Sequence, residues 1–212
     1  MKERRKRNQT LGEEIGNAVT HGVGFLIALL GTTLLFIKAN DWRGYLGVGL
    51  FSFGLIVLYI MSTLYHSFPS GSKVKRIFRH FDHCSIYLLI GGTYAPILLV
   101  EKKGAMGWIF FAIQWALIIW GIVMKAVFDP GRNIVIHTLI YLLLGWSGIV
   151  FLPYMLKNNL PLFWFIFTGG IAYSAGVVFF SVKFKYAHFV WHFFVMLGTL
   201  LHFFGIYFFV LS

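Results

Sequence analysis

Charge is scarce in this sequence. Asp, Glu, Lys and Arg make up 12% of its 212 residues, where a typical soluble domain carries about 25%. A soluble protein this poor in charge could not cover its surface. With 58% hydrophobic and 19% aromatic residues, lipid is the natural solvent for the chain. Cysteine is nearly absent: Cys84 stands alone, which excludes an intrachain disulfide and any cysteine-based zinc motif. Internal repeats and low-complexity segments are missing too. The length suits one domain.

The few charges are unevenly signed, with a net charge of +11. Such a balance can signal nucleic acid, anionic lipid or membrane topology. Five of the 18 Lys and Arg fall in the first seven residues, and the rest flank apolar runs. No basic stripe interleaves with aromatics, so the reading is no nucleic acid partner. The basic start resembles a signal peptide only superficially. Glu13, Glu14 and Asn17 follow it, and no compact apolar region ends in a small-residue cleavage site. Residues 1–13 therefore read as a mobile basic cytoplasmic tail, and 14–212 as one membrane domain.

The charged residues divide the chain into seven charge-free runs: 15–37, 44–72, 83–100, 104–124, 133–156, 158–182 and 186–212. About 20 apolar residues cross the hydrocarbon core as a helix, and lipid admits no open strands. The expected fold is an all-α bundle of seven transmembrane helices, at about 15–37, 44–66, 82–100, 104–125, 133–155, 160–182 and 187–210. Between the second and third, residues 67–81 read as an interfacial amphipathic turn with Ile77, Phe78 and Phe81 toward lipid. Placing the N-terminus inside puts 13 of the 18 Lys and Arg on the cytoplasmic side, against Lys38, Arg43, Lys102, Lys103 and Lys157 outside. The expectation is a multi-pass plasma-membrane protein with its N-terminus cytoplasmic and its C-terminus outside.

That topology gathers polar residues at one level. His66 closes the second helix, Asp82 and His83 open the third, His188 and His192 open the seventh, and Glu14, Asn17, Thr20 and His21 open the first. His188 and His192 are spaced i,i+4 on one helical face, the spacing by which two imidazoles bind one metal. Phe189, Val190 and Trp191 between them supply no general base, so this is not the zinc-protease motif. With His66 the set becomes His₃, a catalytic zinc shell that leaves a fourth position open. Asp82 fits three roles: general base or acceptor for the water, orienter of a ligand histidine, or interfacial cap of the third helix. Ser62, four residues before His66, could bond the water or a substrate carbonyl, or bond back to its own helix. His83 points about 100° from Asp82 and is expected to face away from the same centre. His80 reads as solvated, His137 as the start of the fifth helix, and His202 as a mid-membrane bond to another helix. His21 joins Glu14, Asn17 and Thr20 in a second polar tier.

In order along the chain, E-I-G-N-A-V-T-H from Glu14 to His21, S-T-L-Y-H from Ser62 to His66, then Asp82, then H-F-V-W-H from His188 to His192 resemble the progestin and adipoQ receptor family. The short chain resembles its bacterial haemolysin III branch. The resemblance extends from residue 13 onward and implies zinc on His66, His188 and His192, with Asp82 and Ser62 near the water. The family is in turn similar to alkaline ceramidases. It implies a zinc-dependent hydrolase of a lipid amide or ester near the cytoplasmic leaflet, with membrane lipid as substrate or ligand. Two other readings stand beside it: a non-enzymatic membrane-state sensor with structural zinc, and a haemolysin-type cytolytic protein.

The charge bias sets a test of orientation. In a Cys84→Ser background, a cysteine placed at Lys102 should react with a membrane-impermeant maleimide in intact cells. One placed at Ser70 should react only after the cells are opened.

Overall fold

The computed structural model describes residues 9–127 and 134–211. Among these there is no strand. The helices are α1 (Leu11–Lys38), α2 (Trp42–Ser67), α3 (Lys73–Pro96), α4 (Ala105–Val127), α5 (Ile134–Trp146), α6 (Leu152–Asn158), α7 (Leu160–Ser181) and α8 (Ala187–Phe209). A π turn at Ile97–Glu101 continues α3, and a 3₁₀ turn at Ser147–Phe151 joins α5 to α6. Seven spans are long and apolar enough to cross a membrane, the fifth being α5 and α6 together. The chain is an all-helical, multi-pass membrane protein.

Polar side chains mark where the helices start. Thr10 and Glu13 form a reciprocal capping box at α1, satisfying two orphan donors of the first turn. Asp41 accepts from Gly44 N–H at 2.7 Å, and Ser72 from Lys75 N–H at 3.1 Å. Proline stands in the first turn of α6 and of α7, where its missing N–H costs nothing. At Pro96 the missing donor coincides with the change from α to π geometry.

α2 and α3 form the centre of the bundle. α1 lies on α2 and α8, α4 on α3, and α7 on α8, while α5 touches α3 and α7. Val48, Phe51, Leu55 and Leu58 of α2 pack with Leu35 of α1, Leu89 of α3, and Val195 and Ile206 of α8. Large apolar residues such as Ile109, Leu143 and Trp164 remain exposed, as lipid-facing positions require. At the end far from the N-terminus, Lys38 Nζ donates to the Tyr207 carbonyl at 2.7 Å and Asn159 Nδ2 to that of Phe209 at 2.9 Å. These bonds tie α1 and α7 to the last turn of α8.

Two expectations shift. Residues 1–8 of the proposed tail lie outside the described residues, as does position 133, but α1 already begins at Leu11, so Glu13 is helical and buried. The third helix starts at Lys73 rather than 82. The Ser72 cap starts the helix early, and no Gly or Pro interrupts the basic stretch that follows. Ile77 and Phe81 are exposed there, while Phe78 stacks on Phe68 with ring centroids 5.3 Å apart. Asp82 is therefore well inside α3 and caps nothing.

Contact between α2 and α3 depends on missing side chains. A methyl at Gly92 would stand 2.6 Å from the Leu50 carbonyl oxygen, whereas one at Gly145 would meet nothing within 4 Å. Small residues allow such close approach in membranes. Gly92→Val should cost roughly 1–3 kcal/mol through overpacking, read as a lower thermal midpoint in detergent. Gly145→Ala should leave that midpoint in place.

Candidate metal centre

Four helix ends meet around the polar residues: the starts of α1, α3 and α8 and the finish of α2. α8 presents His188 and His192 one turn apart, and α2 delivers His66 from its last turn. One potential ligand atom from each of the three lies within 4.8 Å of the other two. The ring centroids are 5.1 Å apart for His66 and His188, 5.3 Å for His66 and His192, and 4.8 Å for His188 and His192. Nitrogens sharing one tetrahedral metal stand roughly 3.3 Å apart, so modest side-chain rotations bring these three onto one ion. His66 and His192 are buried.

Glu14 decides which nitrogen His66 offers. Its Oε2 accepts from Nδ1 of His66 at 2.7 Å, which places the proton on Nδ1 in the neutral ring. Nε2 is buried with no hydrogen-bond partner, a costly state unless something binds its lone pair. A carboxylate behind an imidazole is the usual support for a metal-ligating histidine. The donor set thus fits a metal. Asn17 lies beside the pair, its amide nitrogen 3.5 Å from His66 Nδ1 and 2.9 Å from Gln9 Oε1.

The other expected residues separate. His21 stacks on His192, with centroids 3.5 Å apart and planes 8° apart, and both of its nitrogens are buried without partners. Thr20 instead donates to the Gly16 carbonyl of its own helix at 2.5 Å. Ser62 is buried and lines the cavity below the histidines. Its neighbours Thr63 and Ser67 bond back to α2 carbonyls at 2.7 Å, and Ser62 has no such bond among the described residues. Asp82 lines the same cavity but stands outside the three-histidine cluster.

His83 departs from expectation. It lines the cavity with Asp82, its Nδ1 3.4 Å from Asp82 Oδ2. The cavity wraps around α3 widely enough to meet residues 100° apart. His80 is half-buried and its ring bonds the Arg76 carbonyl at 2.9 Å. His202 donates through Nε2 to the Ile166 carbonyl on α7 at 3.1 Å, an interhelical bond as expected.

The cavity has a volume of about 460 Å³ and is bounded mainly by α2, α3, α5, α7 and α8, with single residues of α1 and α4 and one face of α6. His21, Ser62, Asp82, His188 and His192 occupy one end, and Ile86, Tyr94, Leu142, Phe163, Ile166 and Trp191 are among the walls beyond. From His188 to His202, both lining residues, α8 rises about 21 Å.

Glu13, which sequence pattern does not assign to the site, supports it from α1. Besides closing the α1 cap, its Oε1 accepts from Tyr186 N–H at 2.8 Å. Tyr186 has φ 65°, the only positive value outside glycine among the described residues, a conformation that strains a bulky residue. The bond holds the turn two residues before His188. The T-x-x-E pattern of Thr10 to Glu13 could have revealed the cap, but not the reach to α8.

Residues 9–203 match the family described as haemolysin-III related. The chain is 38% identical to Hemolysin-3 of Bacillus cereus, over 97% of this chain and 95% of that protein. It is 37% identical to the Hemolysin-3 homolog of Bacillus subtilis (strain 168), over 94% and 95%. It is also 28% identical to the Monocyte to macrophage differentiation factor of Homo sapiens, over 93% and 84%.

Glu13→Ala leaves the Tyr186 amide without its acceptor, at a cost of about 1–3 kcal/mol. The expected result is a lower thermal midpoint together with faster hydrogen exchange at the Tyr186 amide.

Proposed function

The chain belongs to the haemolysin III branch of the progestin and adipoQ receptor family, and on that premise we propose that it is a zinc-dependent hydrolase of a membrane-lipid amide or ester. The observation that carries this reading is the cavity. It joins His188 and His192 of the three-histidine cluster, with Asp82 and Ser62, at one end to a long apolar interior, the shape and polarity of a lipid with its scissile bond at the polar end.

His66, His188 and His192 would hold the ion, leaving a fourth position for water or a carbonyl. Zinc held there would supply Lewis acidity and bring the pKa of a coordinated water to about 7. Glu14 keeps the His66 ring in the tautomer that offers Nε2. Asp82, on the cavity wall, takes the proton of the attacking water and returns it to the leaving amine or alcohol. Ser62, free of backbone bonding, donates to the carbonyl oxygen as negative charge develops there. The apolar walls bind the acyl chain, exclude water and set the carbonyl at the histidine end. The products are a fatty acid and the amine or alcohol it was joined to. With the N-terminus inside, this end of the bundle faces the cytoplasmic leaflet.

Metal analysis of purified protein should find one zinc per chain, and none in a His188→Ala/His192→Ala variant. Asp82→Asn should keep its zinc and lose about 10²–10⁴-fold in fatty-acid release. Zinc-loaded wild-type protein that releases no fatty acid from N-acyl or O-acyl lipids would contradict the hydrolase reading.

A further inference from the structure

We propose that Lys75 is a positioning residue for the metal centre: its ammonium fixes the Glu14 carboxylate against His66 and braces the end of α2 that carries this ligand. The inference rests on reading the three histidines as a metal site.

Lys75 lies in the first turn of α3, in a stretch whose positive charges suggest a headgroup-facing role. Its environment is different. Lys73 and Arg76 are exposed, but Lys75 is buried. Its Nζ lies 2.9 Å from Glu14 Oε1 and 3.0 Å from each of the carbonyl oxygens of Tyr65 and Phe68. A lysine ammonium has three N–H donors, and three acceptors meet it. The ammonium also sits 4.8 Å from the centroid of the Tyr65 ring.

Those acceptors surround the ligand. Tyr65 precedes His66 and Phe68 follows it by two, so Lys75 bonds carbonyls on both sides. Terminal helix carbonyls have no intrahelical partners, and positive charge is favoured at this end of a helix. Glu14, on α1, is held through both oxygens: Oε1 by Lys75 and Oε2 by His66. Fixing both oxygens fixes the carboxylate plane, which sets the direction from which His66 Nδ1 is bound. Lys75 thus links α1, α2 and α3 at the atoms that orient His66, and it touches none of the three rings among the described contacts.

A double-mutant cycle tests this on the full-length protein in detergent. Zinc affinity is measured by chelator competition for wild type, Lys75→Met, Glu14→Gln and the double variant, with Lys73→Met as the surface control. Lys75→Met should lose about 10–100-fold in affinity, and Lys73→Met nothing. Because Lys75 acts in part through Glu14, the double variant should lose clearly less than the two single losses combined. Fully additive losses, or an unchanged Lys75→Met affinity, would overturn the proposal. A second readout needs no metal: in ¹⁵N-histidine spectra of metal-free protein, His66 should hold one Nδ1–H tautomer in wild type and a mixture in Lys75→Met. Unchanged His66 signals would also overturn it. If Lys75→Met fails to fold, Lys75→Gln serves in both arms. Wild type that binds no zinc would defeat the metal reading, while the spectra would still decide whether Lys75 positions His66.

Discussion

An imidazole can bind a metal only through an unprotonated nitrogen, and in a helical bundle without bulk water a protein group must decide which nitrogen that is. Here the hydrogen bond between His66 Nδ1 and Glu14, at 2.7 Å, makes the choice. It joins the finish of α2 to the start of α1, so one contact links the tautomer of His66 to the meeting of these two helix ends. Ionisable groups are costly inside a membrane protein unless paired, and Glu14 is paired twice, with His66 and with Lys75. The centre is therefore part of how the helix ends close together. Glu13 does the same on the other flank, holding the strained Tyr186 turn from which α8 projects His188 and His192.

The division of the interior follows from the same constraint. Polar groups concentrate where four helix ends meet, and the cavity beyond them is walled mainly by aliphatic and aromatic side chains. Some polar groups deeper in the bundle find backbone partners, as His202 does at Ile166 and Thr93 at Leu89. A ligand that fills the cavity must place its polar part at the histidines and its apolar part along α5, α7 and α8. Remote apolar contacts of this kind can hold a reacting bond in place without taking part in the chemistry.

Much of this was legible in the sequence because lipid penalises charge so strongly. Each of the seven spans contains one of the charge-free runs, or most of it, and two departures inside that frame are instructive. Around 73–81 the basic residues looked like a loop, yet arginine and lysine are good helix formers and Ser72 starts α3 early. At 147–151 an apolar run conceals a 3₁₀ turn, since hydropathy does not report hydrogen-bond register. His66, His188 and His192 could be grouped from helix spacing and topology alone. Their supports could not. Glu14 and His66 are 52 residues apart and Lys75 belongs to a third helix; nothing in local patterning pairs them. Helical-wheel spacing turns His83 about 100° from Asp82, yet the cavity around α3 is broad enough to meet both.

The proposed function requires that three imidazoles converge on one zinc ion. X-ray absorption at the zinc edge, on purified zinc-loaded protein, addresses it directly. The predicted shell holds three histidine nitrogens at about 2.0–2.1 Å, and it is lost in the His188→Ala/His192→Ala variant. A zinc shell that contains sulfur, or one unchanged by that double substitution, would contradict it.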